Sequence, residues 1–196
     1  MIHFIGFYNY TVILTYMSLV SAVFGMILAH NSNFTGAVLC LMLSGLCDAF
    51  DGTVARTKKN RTEDEKAFGI QIDSLCDAVS FGVFPALLSV RMGLNGILGM
   101  AIAAIYSLCA VIRLAFFNVQ EAKRQQAEEG KRKTYRGLPV TSISMIYPVV
   151  ALLQLFLPAG AFRVVLHIVM AATAFAFVLD FSVKKPDFDK LLTKHT

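Results

Sequence analysis

Four aspartates stand in or beside apolar runs long enough to cross a membrane. Asp48 and Asp51 close the run FTGAVLCLMLSGLCDAFDG, and Asp73 and Asp77 open the run IDSLCDAVSFGVFPALL. An ionisable group in such a run is costly, so its default reading is a functional site. The spacings i, i+3 and i, i+4 put each pair on one helix face. Carboxylates brought together repel unless a cation lies among them. The pattern therefore predicts a divalent-metal site inside a membrane protein. Carboxylate oxygens suit Mg²⁺ or Mn²⁺, with Ca²⁺ as another possible occupant. No histidine accompanies the acids, which argues against zinc. Gly52 and Ala55 leave room for a ligand against the backbone, and Arg56 can meet a phosphate oxygen. A metal and an arginine at a lipid-accessible site suggest a phosphate-bearing lipid substrate.

The elements that position these residues follow from composition. Of 196 residues, 56% are hydrophobic and only 16% charged, and the mean hydropathy is +0.62. Such a balance excludes an ordinary soluble domain. Runs near the ~20 residues needed to cross a bilayer recur along the chain. We expect an all-α integral membrane protein with six transmembrane helices: Phe7 to Ala29, Phe34 to Arg56, Ile70 to Val90, Ile97 to Val119, Val140 to Phe156 and Phe162 to Phe181. The segment TKKNRTEDEKAFG reads as a polar loop, and EAKRQQAEEGKRKTYR as a basic, partly helical one. No fixed-period repeat is evident, and residues 1–196 read as one domain. The first run lacks a basic leader and reads as a retained span.

The net charge is +5, and its distribution sets orientation. Arg56, Lys58, Lys59, Arg61 and Lys66 lie between the second and third runs. Lys123, Arg124, Lys131, Arg132, Lys133 and Arg136 lie between the fourth and fifth, and Lys184, Lys185, Lys190 and Lys194 fall in the tail. The alternate connections are nearly uncharged. This is the positive-inside pattern. It places both termini and the acidic site on the cytoplasmic side, and explains the basic residues without a nucleic-acid partner. Cys40, Cys47, Cys76 and Cys109 all fall in apolar runs without a CxxC pair, so they read as buried thiols. Asp180, alone near the end of the last run, reads as an interfacial residue.

Written out, the acidic segment is D48-x2-D51-G52-x2-A55-R56-x12-G69-x3-D73-x3-D77. It resembles the signature of the CDP-alcohol phosphotransferase family, and all eight fixed positions are filled. The twelve-residue gap between Arg56 and Gly69 is longer than the family's usual one. Three further stretches are similar to the membrane-embedded phosphatidylserine synthase branch: the run from Asp73 to Pro85, Arg113-Leu114-Ala115-Phe116-Phe117-Asn118, and Arg136-Gly137-Leu138-Pro139. Phe116 stands where that branch has a second arginine, and Val140 and Thr141 follow where a second proline is common.

The resemblance implies a six-span core covering nearly the whole chain and a homodimer. It implies a reaction in which CDP-diacylglycerol and L-serine give phosphatidylserine and CMP, with a divalent metal as cofactor. By the same resemblance Asp48, Asp51 and Asp73 hold metal. Asp77 is the general base and a candidate ligand of a second metal ion. Gly52, Ala55, Arg56 and Gly69 admit the cytidine diphosphate. Arg113, the only basic residue in the fourth run, is assigned to a substrate phosphate or the serine carboxylate. Asn118, Arg136 and Ser80 are secondary substrate-binding candidates. A sibling enzyme using inositol phosphate, glycerol phosphate or another alcohol stays open, as does archaetidylserine synthesis. A cation transporter using the four acids is the alternative of a different class.

Overall fold

The structure is a computed structural model. It describes residues 5–55, 57–58, 60–126 and 134–184, with 124–126, 134–136 and 182–184 as backbone only. Seven α-helices follow one another among the described residues: α1 (Ile13–His30), α2 (Phe34–Ala55), α3 (Glu63–Asp77), α4 (Phe84–Met92), α5 (Gly96–Gln126), α6 (Ile143–Leu153) and α7 (Ala159–Val178). A π-helical segment, Ala78–Val83, joins α3 to α4 without a break, and a 3-10 turn, Val140–Ser142, leads into α6. Two short strands, β1 (Thr134–Arg136) and β2 (Ser182–Lys184), pair antiparallel.

Five helices are long and apolar enough to span a membrane: α1, α2, the continuous Glu63–Met92 helix, α5 and α7. The chain is an integral membrane protein. The expected fifth run is shorter than its sequence suggested. Its apolar helix covers Val140–Leu153, about 21 Å at ~1.5 Å per residue, against ~30 Å of hydrocarbon. A turn replaces helix at 154–156, just ahead of Pro158, which cannot continue a helix from within.

The Glu63–Met92 helix is the central one. In its most apolar window 61% of residues are buried, against 28–33% in the other four spans. Its continuity through Pro85 needs explanation, because proline has no N–H and crowds the carbonyl four residues back. That carbonyl, Phe81 O, instead accepts a 2.7 Å hydrogen bond from the buried Tyr106 hydroxyl of α5, and Ser107 Oγ donates to Gly82 O at 3.1 Å. The wider π turn and two side chains from α5 thus satisfy backbone that the proline releases.

Small and hydroxylated residues bring α1 against α2. Ser18 Oγ donates to Ser44 O and Ser44 Oγ to Ser18 O, at 3.2 and 2.8 Å, and Ser21 Oγ donates to Cys40 O at 2.9 Å. Such interhelical bonds replace the hydrophobic drive that lipid does not supply. One turn on from Ser21, the Phe84 ring and Cys40 occupy the space a side chain at Gly25 would need. All four cysteines are free thiols, with Cys47 and Cys76 buried.

The polar loop after α2 is shorter than the sequence reading made it. The α3 helix starts at Glu63, seven residues before the expected Ile70, because Thr62 and Glu65 form a capping box: Glu65 N donates to Thr62 Oγ1 at 3.1 Å and Thr62 N to Glu65 Oε2 at 3.2 Å. Two residues share Glu65 Oε1, Lys58 Nζ at 2.7 Å and Asn9 Nδ2 at 3.1 Å. Much of the longer gap is therefore helix, and Gly69 stays on the α3 face that carries Asp73.

Candidate active site

The four acids come from two neighbouring helices. Asp48 and Asp51 lie in the last two turns of α2, and Asp73 and Asp77 in the last turns of α3. One carboxylate oxygen each from Asp48, Asp73 and Asp77 lies within 4.8 Å of the others. Asp51 is held slightly apart. Its Oδ2 accepts a 3.0 Å hydrogen bond from Thr15 Oγ1 of α1, within a buried contact. Asp73 links the two subsets, because it lines both cavities described next.

The first cavity, about 360 Å³, is lined by Asp51, Gly52 and Ala55 of α2, by Gly69, Ile70 and Asp73 of α3, and by Thr11, Val12 and Thr15 at the start of α1. Lys58, Arg61 and Lys66 complete its wall. Acids, small residues and cations thus share one chamber, which suits a metal and a polyanion together. The second, about 300 Å³, is lined by Asp48, Asp73, Ser74 and Asp77 with Arg113, Leu114 and Phe117 of α5 and Pro139, Val140 and Thr141 ahead of α6. A third, about 290 Å³, lies on the far side of Arg113, between Ile112, Phe116, Gly137, Val178, Leu179 and Asp180. Arg113 therefore stands between two cavities, buried, with its Nε donating to Leu138 O at 3.3 Å.

The acids suit a hard divalent cation on an observation beyond their number. Asp73 Oδ1 is buried and has no hydrogen-bond partner, a costly state for a carboxylate oxygen unless a ligand completes it. Every candidate donor is a carboxylate oxygen, the chemistry Mg²⁺ and Mn²⁺ prefer.

The remaining expected residues separate. Gly52, Ala55 and Gly69 line the first cavity as expected. Asn118 lines none of these three cavities itself; its Oδ1 accepts a 2.8 Å bond from Ser74 Oγ, which lines the second. Ser80 is fully buried in the π segment, its hydroxyl without a partner, and enters none of the three cavities. Arg56 and the Arg136 side chain lie outside the described residues. Asp180 lies just past α7, exposed, and lines a cavity with Arg113. The sequence reading missed Thr15, Ser74, Lys58, Arg61 and Lys66. The lysines and Arg61 had been absorbed into the charge pattern. The T-x-x-E spacing of Thr62 and Glu65 was the signal that the loop folds back over the site.

The ribbon explains Gly137. Its φ is +71°, and a Cβ there would meet Leu179 O at 3.1 Å and Arg113 Nε at 3.4 Å. Gly137 N donates to Phe181 O at 2.7 Å. Pairing of β1 with β2 ties the segments after α5 and α7 together at the end of the bundle where the acids lie.

Two neighbouring helices thus gather four carboxylates beside a cation-lined chamber, an arrangement suited to a metal and a polyanion. The family model for CDP-alcohol phosphatidyltransferase matches residues 8–179, and the chain belongs to that family. It is 38% identical over 108 residues to a CDP-diacylglycerol–serine O-phosphatidyltransferase of Saccharomyces cerevisiae, covering 54% of this chain and 38% of that one. It is 32% identical over 126 residues to the enzyme of the same name from Bacillus subtilis, covering 62% and 64%. It is 30% identical over 129 residues to an archaetidylserine synthase of Methanothermobacter thermautotrophicus, covering 65% and 51%. The chain thus spans between 38% and 64% of the length of these relatives. Family membership leaves the transport reading without an observation in its favour.

Proposed function

We propose that this chain is a metal-dependent phosphatidyltransferase that moves the phosphatidyl group of CDP-diacylglycerol to L-serine, releasing CMP. The observation that carries the reading is the sharing of Asp73 between the three-carboxylate cluster and the cation-lined chamber. The branch-specific stretches around Asp73, Arg113 and Gly137 border these cavities, and the serine-transferring relatives support the acceptor.

Asp48, Asp51, Asp73 and Asp77 would hold Mg²⁺ or Mn²⁺. Bound metal neutralises the diphosphate and the charge growing on the departing phosphate. Gly52, Ala55 and Gly69 leave space for cytidine diphosphate to approach the backbone. Asp77 takes the proton of the serine hydroxyl as that oxygen attacks the β-phosphorus. The new P–O bond forms as the bond to CMP breaks, and CMP leaves with the electron pair. Among the described residues no hydrogen-bonded Ser–His or Cys–His pair calls for a covalent intermediate. Arg113, buried between two cavities, pairs with the serine carboxylate or a substrate phosphate. Ser74, steadied by Asn118, faces the acceptor side.

Residues 1–196 form a single membrane domain in this reading. The helix at Val140–Leu153, with the turn to Leu157, makes the fifth of six crossings. Both termini and the site face the cytoplasm, as the basic segments suggest, and the protein works as a homodimer among membrane lipids.

The test uses purified protein, CDP-diacylglycerol and Mn²⁺ or Mg²⁺, with serine, inositol phosphate and glycerol phosphate supplied separately. CMP release with serine and a phosphatidylserine product is expected. Release with another alcohol alone would keep the family and overturn the acceptor. The archaetidylserine relative supports a second reading that shares serine and differs in the lipid, which a CDP-archaeol arm of the same assay separates.

A further inference from the structure

Three cations line the first cavity, and their surroundings differ. Lys58 Nζ is paired with Glu65 Oε1 at 2.7 Å, and Lys66 Nζ with Glu63 Oε1 at 2.7 Å. Arg61 has no carboxylate at ion-pair distance among the described residues. Its Nη2 donates to a neutral carbonyl, Glu65 O, at 3.0 Å, and its Nε is buried with no partner. A guanidinium carries five donors and stays charged. Leaving one donor buried and unpaired is costly unless an anion arrives to meet it.

The backbone beneath Arg61 fits this purpose. A Cβ on Gly69 would lie 2.5 Å from Arg61 Nη2, so the guanidinium rests on the glycine because no side chain is there. Gly69 lies one turn before Asp73 on the same face of α3, about 6 Å along the axis. An anion with two linked phosphates can reach the guanidinium at one level and acid-bound cations at the next. Arg61 itself comes from the lengthened connection between Arg56 and Gly69, and the capping box at Thr62 fixes where it enters α3.

We infer that Arg61 is a further substrate-binding residue, whose guanidinium, seated on Gly69, grips the diphosphate of the nucleotide-linked lipid. This rests on the phosphatidyltransferase reading and adds to it a second cation, contributed by the long connection.

The experiment is equilibrium binding of CDP to the purified full-length protein in detergent with Mg²⁺, by calorimetry, for wild type, R61Q, R61K, G69A and the R61Q/G69A pair, each checked for an unchanged melting temperature. Arg61→Gln should weaken CDP binding about tenfold, the size expected for losing one charge-assisted contact. Arg61→Lys should fall between, since it keeps the charge and loses the fork. Gly69→Ala should weaken binding at least as much, by displacing the guanidinium and by narrowing the space for the diphosphate, and Arg61→Gln should cost less in the Gly69→Ala background than it does alone. Wild-type protein that binds CDP while Arg61→Gln binds it equally well would overturn the inference alone. Additive losses in the double variant would also overturn it, by uncoupling Arg61 from Gly69. Wild-type protein that fails to bind CDP would overturn the transferase reading and the inference with it.

Discussion

Thr15 and Asp51 are joined across the α1–α2 interface by a 3.0 Å hydrogen bond between two buried side chains. The hydroxyl donates to Oδ2 and so fixes how the carboxylate is turned. A carboxylate held in this way loses less freedom on binding metal, and such supporting partners commonly change metal affinity by about 10- to 100-fold. Thr15→Val keeps the shape and removes the donor. It should raise the Mn²⁺ concentration needed for half-saturation, measured directly by paramagnetic resonance of free Mn²⁺, by at least about tenfold. Thr15→Ser should stay near wild type. Equal Mn²⁺ affinity in Thr15→Val would show that the bond does not position Asp51.

The cap of α3 predicts a local effect with a site consequence. Thr62→Ala removes the side-chain acceptor for Glu65 N, a loss of about 1 kcal/mol. Because Glu65 also holds Lys58 and Asn9, hydrogen exchange should speed up through the first turn of α3 while α5 and α7 are unaffected. Exchange unchanged at Glu63–Lys66 would contradict the cap.

Proline 85 makes Tyr106 indispensable in a way its ring alone would not. Tyr106→Phe keeps the packing against Phe177 and leaves Phe81 O without its donor. Stranding a buried acceptor costs about 1–3 kcal/mol. A clear drop in melting temperature in detergent is expected. No change would mean that the π turn satisfies this carbonyl by another route.

Gly137 should tolerate no side chain. Its left-handed backbone and its contacts with Leu179 O and Arg113 Nε predict that Gly137→Ala costs at least about 1 kcal/mol of backbone strain and moves Arg113. Loss of thermal stability with a raised KM for the acceptor is the expected pair of results. A variant with normal stability and KM would separate Gly137 from the Arg113 wall.

Much of this was legible in the residues themselves. The helix-face spacing of Asp48 with Asp51, and of Asp73 with Asp77, was enough to foresee convergence, because two neighbouring helices that end at one connection must bring those faces together. Five of the spans were legible for a similar reason: an apolar run of sufficient length has few ways to hide its backbone in lipid. The start of α3 was misread because charge in TEDEKAFG outweighed the capping pattern it also contains. The end of α6 was misread because apolar composition at Leu155 and Phe156 says nothing of the turn that Pro158 imposes. The β1–β2 ribbon left no sequence mark at all, since each strand is three residues long and pairs across nearly fifty residues. Thr15 and Arg61 were invisible as site residues for another reason: only tertiary packing places a hydroxyl of α1 on Asp51, or a loop guanidinium on Gly69.

The central claim is that the carboxylate cluster performs phosphatidyl transfer with Asp77 as the proton acceptor. The most direct measurement is serine-dependent CMP release by Asp77→Asn at saturating Mn²⁺, alongside CDP binding by the same protein. A fall in turnover of about 100-fold or more, typical for loss of a general base, with CDP affinity within a few-fold of wild type, is the predicted result. Turnover within a few-fold of wild type would contradict the account.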